Sequence, residues 1–375
     1  MKKKIAIIGA GIGGLTLANL LQKNSNFEFM IYEKEETLNL KEGFGIQLSV
    51  NSVSILNQIG FSSLNKSEIY NPTKLDFYSN EDKICDLDLT QFNNKTEKYT
   101  TLKRSTLIKF LKDKLFSNLI RFNKTLETVE QNQNTIKINF KDGVSEEVDF
   151  LVVSDGVFSQ TKSIIEKKIF KPNYYGALAI RTQVKAKDIS EFKTENISLF
   201  MSSKAHLVSY PVNENRDINV VCILRKSLNE KKSTEQLLSE KFLNTNKHLS
   251  SLFNEDLKSW SIYTSPKPIK STLKKVFYIG DAFYAFPPTF AQGASQSIES
   301  AKELYDLLID NKQNVENIYF EKRLKRTIMI NNRSRLNYFL FHFSNPILKI
   351  FRNKFLKRLI KSKSFINRYL GKIYN

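Results

Sequence analysis

Acidic residues stop well before the chain does. No Asp or Glu follows Glu321, while residues 322–375 carry fifteen Lys or Arg. Those fifteen leave only +5 of the net charge of +20 for the 321 residues before them, so the basic character belongs to a tail and not to the body. No nucleic-acid recognition motif accompanies it, and nucleic acid is not expected as a partner. Cysteine is nearly absent: Cys85 and Cys222 form no metal or redox spacing, and three scattered histidines form none either. No metal site is therefore expected. No run approaches the roughly 18 apolar residues that a spanning helix needs. Lys2-Lys3-Lys4 before an apolar stretch imitates a signal peptide, but the stretch turns glycine-rich and no small-residue cleavage site follows. The chain reads as cytoplasmic. With 375 residues, 41% hydrophobic and 26% charged, it has the material for a large core and two domains. There is no internal repeat.

What is present begins at the first residues. Ile5-Ala6-Ile7-Ile8 is short and apolar, as for a parallel strand buried on both faces. It runs into Gly9-Ala10-Gly11-Ile12-Gly13-Gly14, then a helical pattern (Leu15, Leu17, Ala18, Leu21), then a second strand from Phe27 to Tyr32 ending on Glu33. Gly9 permits the tight turn, Gly11 lets a pyrophosphate reach the backbone, and Gly14 lets the helix pack close to the sheet. The helix N-terminus presents unpaired N–H groups to phosphate. Glu33, nineteen residues past Gly14, can accept from ribose hydroxyls. Strand, glycines, helix, strand and acid in register predict a dinucleotide site.

Farther along, Gly43 to Leu48 reads as a second glycine-rich stretch entering a short helix, capped by Ser49 or Asn51 and ended by Gly60. Short strands and loops are expected over 73–103. Arg104 opens a helix, where a cation opposes the dipole, so it is either solvated or set beside an anion. Thr135–Phe140 and Glu147–Val153 read as strands about the turn at Asp142-Gly143. The second ends in Ser154-Asp155-Gly156, by itself a turn, but also where open α/β sheets bind ligands. Strand-like runs at 177–184, 206–212, 218–224 and 260–263 suggest an inserted, mostly antiparallel sheet. Val276-Phe277-Tyr278-Ile279 returns to a buried strand, then Gly280-Asp281, a helix from about Gln292 to Leu308, and basic helices.

Together these places resemble the single-component FAD-dependent aromatic hydroxylases, the family of p-hydroxybenzoate and salicylate hydroxylases. Gly9 to Glu33 is similar to its ADP-binding fingerprint. Asp155-Gly156 is similar to its D-G motif, which touches both FAD and the pyridine nucleotide. Gly280-Asp281-Ala282, Pro287-Pro288 and Gln292-Gly293-Ala294 are similar to its G-D motif and the loop over the flavin, and Arg104 sits where the family has an arginine facing FAD. The resemblance covers nearly the whole chain. It departs where the usual histidine of G-D-A-x-H is Tyr284, the usual Arg of the D-G motif is Lys162, and E-D-A is Glu299-Ser300-Ala301.

The resemblance implies an α/β fold with a Rossmann-like FAD-binding domain (1–72, 98–172 and 270–312). An inserted, mostly antiparallel β-sheet substrate domain (73–97 and 173–269) and a basic C-terminal helical region (313–375) complete it. It implies FAD at Gly9, Gly11, Gly14, Glu33, Arg104, Asp155, Gly156, Gly280, Asp281, Pro288, Gln292, Gly293 and Ala294, with NADH or NADPH as reductant. The implied reaction uses O2 to hydroxylate or epoxidise an electron-rich, aromatic small molecule through a C4a-hydroperoxyflavin. The other readings are a reductase or dehydrogenase of the same fold acting on an isoprenoid, and a flavin-binding protein without turnover. A halogenase is set aside because the single Trp rules out that group's paired-Trp motif.

His206, Val208 and Tyr210 alternate on an expected strand and so share a face. His206 and Tyr210 are the catalytic candidates. His206-x-x-x-Tyr210-Pro211 resembles members in which the histidine is base toward a substrate phenol; the plain reading is a strand-edge histidine without a catalytic task. Arg181 is either a carboxylate-binding residue or a surface arginine. For residues 346–375, apolar and basic groups without acids fit peripheral contact with an anionic membrane. They also fit packing against the body, which is the preferred of the two.

Overall fold

The computed structural model describes residues 2–38, 40, 44–190, 192–253, 257–310 and 312–374. Gly43, which opened the second glycine-rich stretch, lies outside the described residues.

The apolar runs at 5–8, 27–32, 150–153 and 276–279 are too short for helices and too apolar for a surface. They stack side by side in one five-stranded parallel sheet. Its order is Val276–Tyr278, Phe150–Val153, Lys3–Ile8, Phe27–Tyr32 and Ile120–Arg121. Helix Ile12–Leu21 is buried from Gly13 through Leu21 because structure covers it on more than one side. It packs on helices Arg104–Asp113 and Gly293–Ile309 as well as on the sheet. Asn19, fully enclosed, donates to Leu15 O at 2.8 Å and to Leu111 O at 2.7 Å, which satisfies a polar group that would otherwise be costly to bury.

The expected strand Glu147–Val153 is two strands. Ser145–Val148 is the last strand of an antiparallel meander with Leu126–Gln131 and Ile136–Phe140, and Phe150–Val153 belongs to the parallel sheet. The chain changes sheets at Asp149, whose N–H donates to Lys4 O and whose carboxylate accepts from the Lys4 N–H. The short helix after the second glycine-rich stretch runs Val50–Asn57, with Gly60 left-handed beyond it (φ +92°). Ser49 is its N-cap residue, yet its hydroxyl donates to Asn51 Oδ1 at 2.6 Å and makes no capping bond.

The insertion builds a seven-stranded sheet. Its order is Lys258–Thr264, Asn173–Lys185, Asp217–Arg225, Ala205–Pro211, Ile197–Met201, Lys74–Ser79 and Asp82–Asp88. All neighbours are antiparallel except Ile197–Met201 with Lys74–Ser79. One face packs on helix Thr234–Lys241 and its neighbours through Leu178, Ile180, Leu207 and Val220. The other face packs on the tail through Leu199, Tyr210 and His206, and meets Gly45 through Asn219.

The basic tail divides. Helices Val315–Phe341 and Pro346–Lys361 lead to residues 363–374, whose Ile366, Ile373 and Tyr374 are buried with Phe92, Tyr99, Leu199 and Tyr210. Arg326 holds this end by donating to Lys372 O and Ile373 O, both at 2.7 Å. Arg333 donates to Tyr369 O and Arg368 O. No described helix is long and apolar enough to cross a membrane.

Candidate functional site

All five parallel strands have their carboxyl ends at one edge of the sheet, and four of those ends carry one of the sequence motifs. Ile8 leads to Gly9, Tyr32 to Glu33, Val153 to Asp155-Gly156, and Tyr278 through Ile279 to Gly280-Asp281. Parallel register thus gathers residues up to 272 positions apart, Gly9 and Asp281, along one edge of the sheet.

The first loop's glycines are needed for different reasons. Gly9 is left-handed (φ +102°), and a Cβ there would lie 2.8 Å from Ser154 O. At Gly14 a Cβ would lie 2.2 Å from Gly9 O and 2.6 Å from Ser154 Oγ, so the loop is closed on itself at this point. Gly11 is open, its nearest neighbour Ser154 O at 3.8 Å. No side chain caps the helix that follows, and no acid lies in its first turn, so its N–H groups face outward. Glu33, half-exposed, ties this loop to the second strand: it accepts from Ala10 N at 2.8 Å and from Glu35 N at 3.1 Å.

Asp155 accepts from Thr161 N at 3.3 Å through one oxygen, while Oδ1 is buried without a partner among the described residues. Burial raises its carboxyl above the ordinary range, with the Ser159 and Thr161 hydrogen bonds opposing. Gly156 (φ +84°) has nothing within 4 Å of an added Cβ. Lys162, in the place of the resemblance's arginine, is buried and pushed down to about 8, with Asp155 and Glu166 pulling the other way. Its ammonium lies over the Tyr278 ring.

Asp281 is reached by solvent yet crowded by protein, as in a cleft. Burial pushes its carboxyl up to about 6, and the Arg104 guanidinium opposes that shift. Arg104 at its helix N-terminus is thus within electrostatic reach of the protein's own Asp281. The two other departures from the resemblance are also accounted for. Ser300 of Glu299-Ser300-Ala301 accepts from Gly280 N at 3.0 Å, and Tyr284 is a buried residue that closes the turn through its N–H to Gly280 O.

Pro288 is exposed, and the loop after it passes through a left-handed Ala291 (φ +50°) into helix Gly293–Ile309. The Gln292 side chain does not face the cleft. It is buried, donating to Ser49 Oγ at 3.2 Å and accepting from Gln296 Nε2 at 3.3 Å. Gly293 is exposed with nothing near its Cβ position, Ala294 is half-exposed, and the helix start has neither a cap nor an acid.

These features fit FAD. Two uncapped helix N-termini suit anionic groups, Gly11 leaves room for pyrophosphate, and Asp155 Oδ1 and the solvent-facing Asp281 offer acceptors for ribityl or ribose hydroxyls.

The strand Gly45–Leu48 joins this edge to the seven-stranded sheet. Phe44 O accepts from Arg104 N, while Gly45 N donates to Asn219 Oδ1 at 2.7 Å. On the sheet face beyond it, Arg181, Val221 and Val208 are in direct register across three strands and only half-buried. Most of their neighbours on that face, including Ala179, Ile223, Leu199 and Tyr210, are buried. This row is a half-open, mostly apolar strip of the face with a cation at one end. The Arg181 guanidinium lies 5.7 Å from the Phe44 ring and 6.0 Å from Trp260, the two rings meeting edge-on at 5.1 Å. Phe44, Gln47, Asn219 and Trp260 were not singled out from the sequence; only strand register, set by distant residues, brings them here.

Tyr210 lies at the row's edge, buried beneath Gly45. Burial pushes its phenol up to about 12, with Arg181 and a hydrogen bond to Gln47 opposing, so it stays protonated. Gln47 also accepts from Tyr99 at 2.8 Å. His206 shares the face, as its alternation with Tyr210 predicted, but it is turned against the tail. Its Nδ1 lies 2.9 Å from His342 Nε2, and its ring packs on Phe341. Burial pushes both imidazoles well below the ordinary range. A base for a phenol near neutral pH needs a conjugate acid of comparable pKa, and this pair is tuned away from it.

The pair has a consequence for stability. Folded imidazoles below the usual 6.5 take up protons less readily than the unfolded chain. Stability is therefore full above pH 6.5 and falls as pH drops below it, by about 1.4 kcal/mol per pH unit for each histidine. Urea midpoints measured at pH 7.5 and 5.5 should show the loss, and His342→Leu should reduce it by about half. The comparison with that variant separates the effect from Asp281, whose raised carboxyl titrates in the opposite sense.

A family model described as "FAD binding domain" matches residues 2–314. Among curated proteins, 6-hydroxynicotinate 3-monooxygenase of Pseudomonas fluorescens is 25% identical over 365 residues, covering 92% of this chain and 93% of its own. A 3-amino-4-hydroxybenzoate 2-monooxygenase of Streptomyces cremeus is 23% identical over 343 residues, covering 88% and 86%. Among solved structures, Klebsiella pneumoniae HpxO complexed with FAD and uric acid superposes with a TM-score of 0.84 at 18% identity, covering 98% of this chain and 97% of that one.

Proposed function

The chain belongs to the FAD binding domain family, and from that premise we propose that it is an FAD-dependent monooxygenase. Its substrate, in this reading, is an electron-rich aromatic ring bearing an anionic group, with NADH or NADPH as reductant and O2 as co-substrate. The observation that carries the substrate class is the half-open row Arg181–Val221–Val208 on an otherwise buried sheet face. Two valines give a flat apolar bed for a ring, and the guanidinium at its end pairs with a carboxylate. The relatives' names, 6-hydroxynicotinate and 3-amino-4-hydroxybenzoate monooxygenases, describe rings of this kind.

When bound, FAD would supply electron transfer from the nicotinamide and the activation of O2; the chain supplies position and charge. Gly11 and the helix start behind it would hold the pyrophosphate, Glu33 the adenosine ribose, and Asp155 and Asp281 hydroxyls along the cofactor. The open Gly293 end of helix Gly293–Ile309 favours negative charge on the flavin ring. Phe44 and Trp260 flank the Arg181 guanidinium at the end of the row. Tyr210, protonated and joined to Gln47, orients a substrate hydroxyl. His206, neutral and bonded to His342, supports the wall beside Val208 and fastens helix Val315–Phe341 to the sheet.

The purified protein should be yellow, and heat-released flavin run on HPLC should be FAD; FMN or no flavin would overturn the reading of Gly9 to Glu33. NAD(P)H oxidation with a panel of hydroxylated aromatic acids should require O2 and place one 18O atom from 18O2 in the product. Oxidation that continues without O2, with a reduced product, would point to a reductase instead.

A further inference from the structure

We infer that the outer face of helix Pro346–Lys361 is a docking surface for an anionic phospholipid bilayer. This goes beyond the monooxygenase reading and does not depend on it. The helix is well made: Asn345 caps it by accepting from Ile347 N at 2.8 Å and Leu348 N at 3.3 Å, with Pro346 in its first turn. Its inner side is fastened to the body. Arg352 is buried, donating to Ser79 Oγ at 2.9 Å and to the Leu340 and Phe341 carbonyls that end the preceding helix. Leu356 and Ile360 pack on the core beneath.

Among the described residues the outer side has no such cover. Ile347, Phe351 and Phe355 repeat at i, i+4 and i+8 and are 62%, 66% and 62% exposed, with Leu348 on their flank at 46%. Lys354, Arg358 and Lys361 are exposed on the adjoining flank, and the helix contains no acid. Bulky apolar groups in a row beside a row of cations match the boundary between acyl chains and anionic headgroups. A second copy of this chain fits poorly: a twofold contact would set each copy's cations against the same cations of the other. The dichotomy between packing and membrane contact thus resolves by side, the inner half of the tail packing and the outer face remaining free.

The test uses the full-length protein with vesicles of phosphatidylglycerol or of phosphatidylcholine alone, sedimented at low salt. Binding is expected to phosphatidylglycerol only, and to be lost near about 0.5 M salt, where the Debye length is roughly 4 Å. Phe351→Glu with Phe355→Glu should weaken it by about tenfold or more while flavin content and melting temperature stay unchanged. Phe116→Glu, an equally exposed phenylalanine remote in sequence and outside the basic tail, should leave it unchanged. No sedimentation with phosphatidylglycerol would overturn the proposal, as would full binding by the double variant. So would light scattering that shows a dimer in solution which the double variant abolishes.

Discussion

A valine at Gly11 should give folded, soluble and colourless protein, whereas an alanine at Gly14 should give little folded protein at all. Both glycines belong to one short loop, and a sequence motif treats them alike. At Gly11 the first added carbon meets nothing closer than 3.8 Å, so the larger side chain leaves the fold alone and fills the space proposed above for pyrophosphate. At Gly14 even one methyl would sit 2.2 Å from the Gly9 carbonyl and 2.6 Å from Ser154 Oγ, and both belong to the structure itself. Ser154 Oγ donates to Ile8 O and Gly9 O, so moving it loosens two strand ends together. Overpacking of this kind costs about 1–3 kcal/mol or more. Absorbance at 450 nm per mole of protein and thermal melts of both variants check the contrast. A yellow Gly11→Val protein would remove the pyrophosphate from this loop.

Arg181→Gln should raise KM for a carboxylated aromatic substrate by about 10–100-fold while leaving flavin content and the KM for an uncharged ring nearly as they were. A hydrogen bond to a charged partner contributes about 1.5–3 kcal/mol, and a partly enclosed carboxylate that loses its cation forfeits that amount. The Phe44 and Trp260 rings beside Arg181 hold the guanidinium in place, so Arg181→Lys should rescue little. The check is the ratio of kcat/KM for matched charged and neutral substrates. An equal loss on both would make Arg181 a structural residue of the sheet.

The motifs at the strand ends were legible because local geometry forces them there. Left-handed backbone needs glycine at positions 9, 156 and 280, and an apolar run of four or five residues ending in a polar turn is hard to mistake. The break at Asp149 was not legible, since alternation cannot reveal that a chain leaves one sheet for another. Nor was the His342 partner of His206, 136 residues away and on a helix that composition marked only as basic. The resemblance gave His206 the role of a base; packing gave it a neighbour. Gln292 shows the same limit in reverse, its backbone position as expected and its side chain turned inward to Ser49.

The insertion of residues 366–374 bears on how the molecule comes into being. Ile366, Ile373 and Tyr374 complete a core whose other walls, from Val50, Phe77 and Leu199, come from much earlier in the chain. Until the ribosome has delivered those residues, the walls face one another across a gap and expose apolar surface to whatever else is in solution. Contacts this distant in sequence close slowly. The seven-stranded sheet therefore passes through synthesis with this face unfinished, and that interval is where aggregation competes with folding.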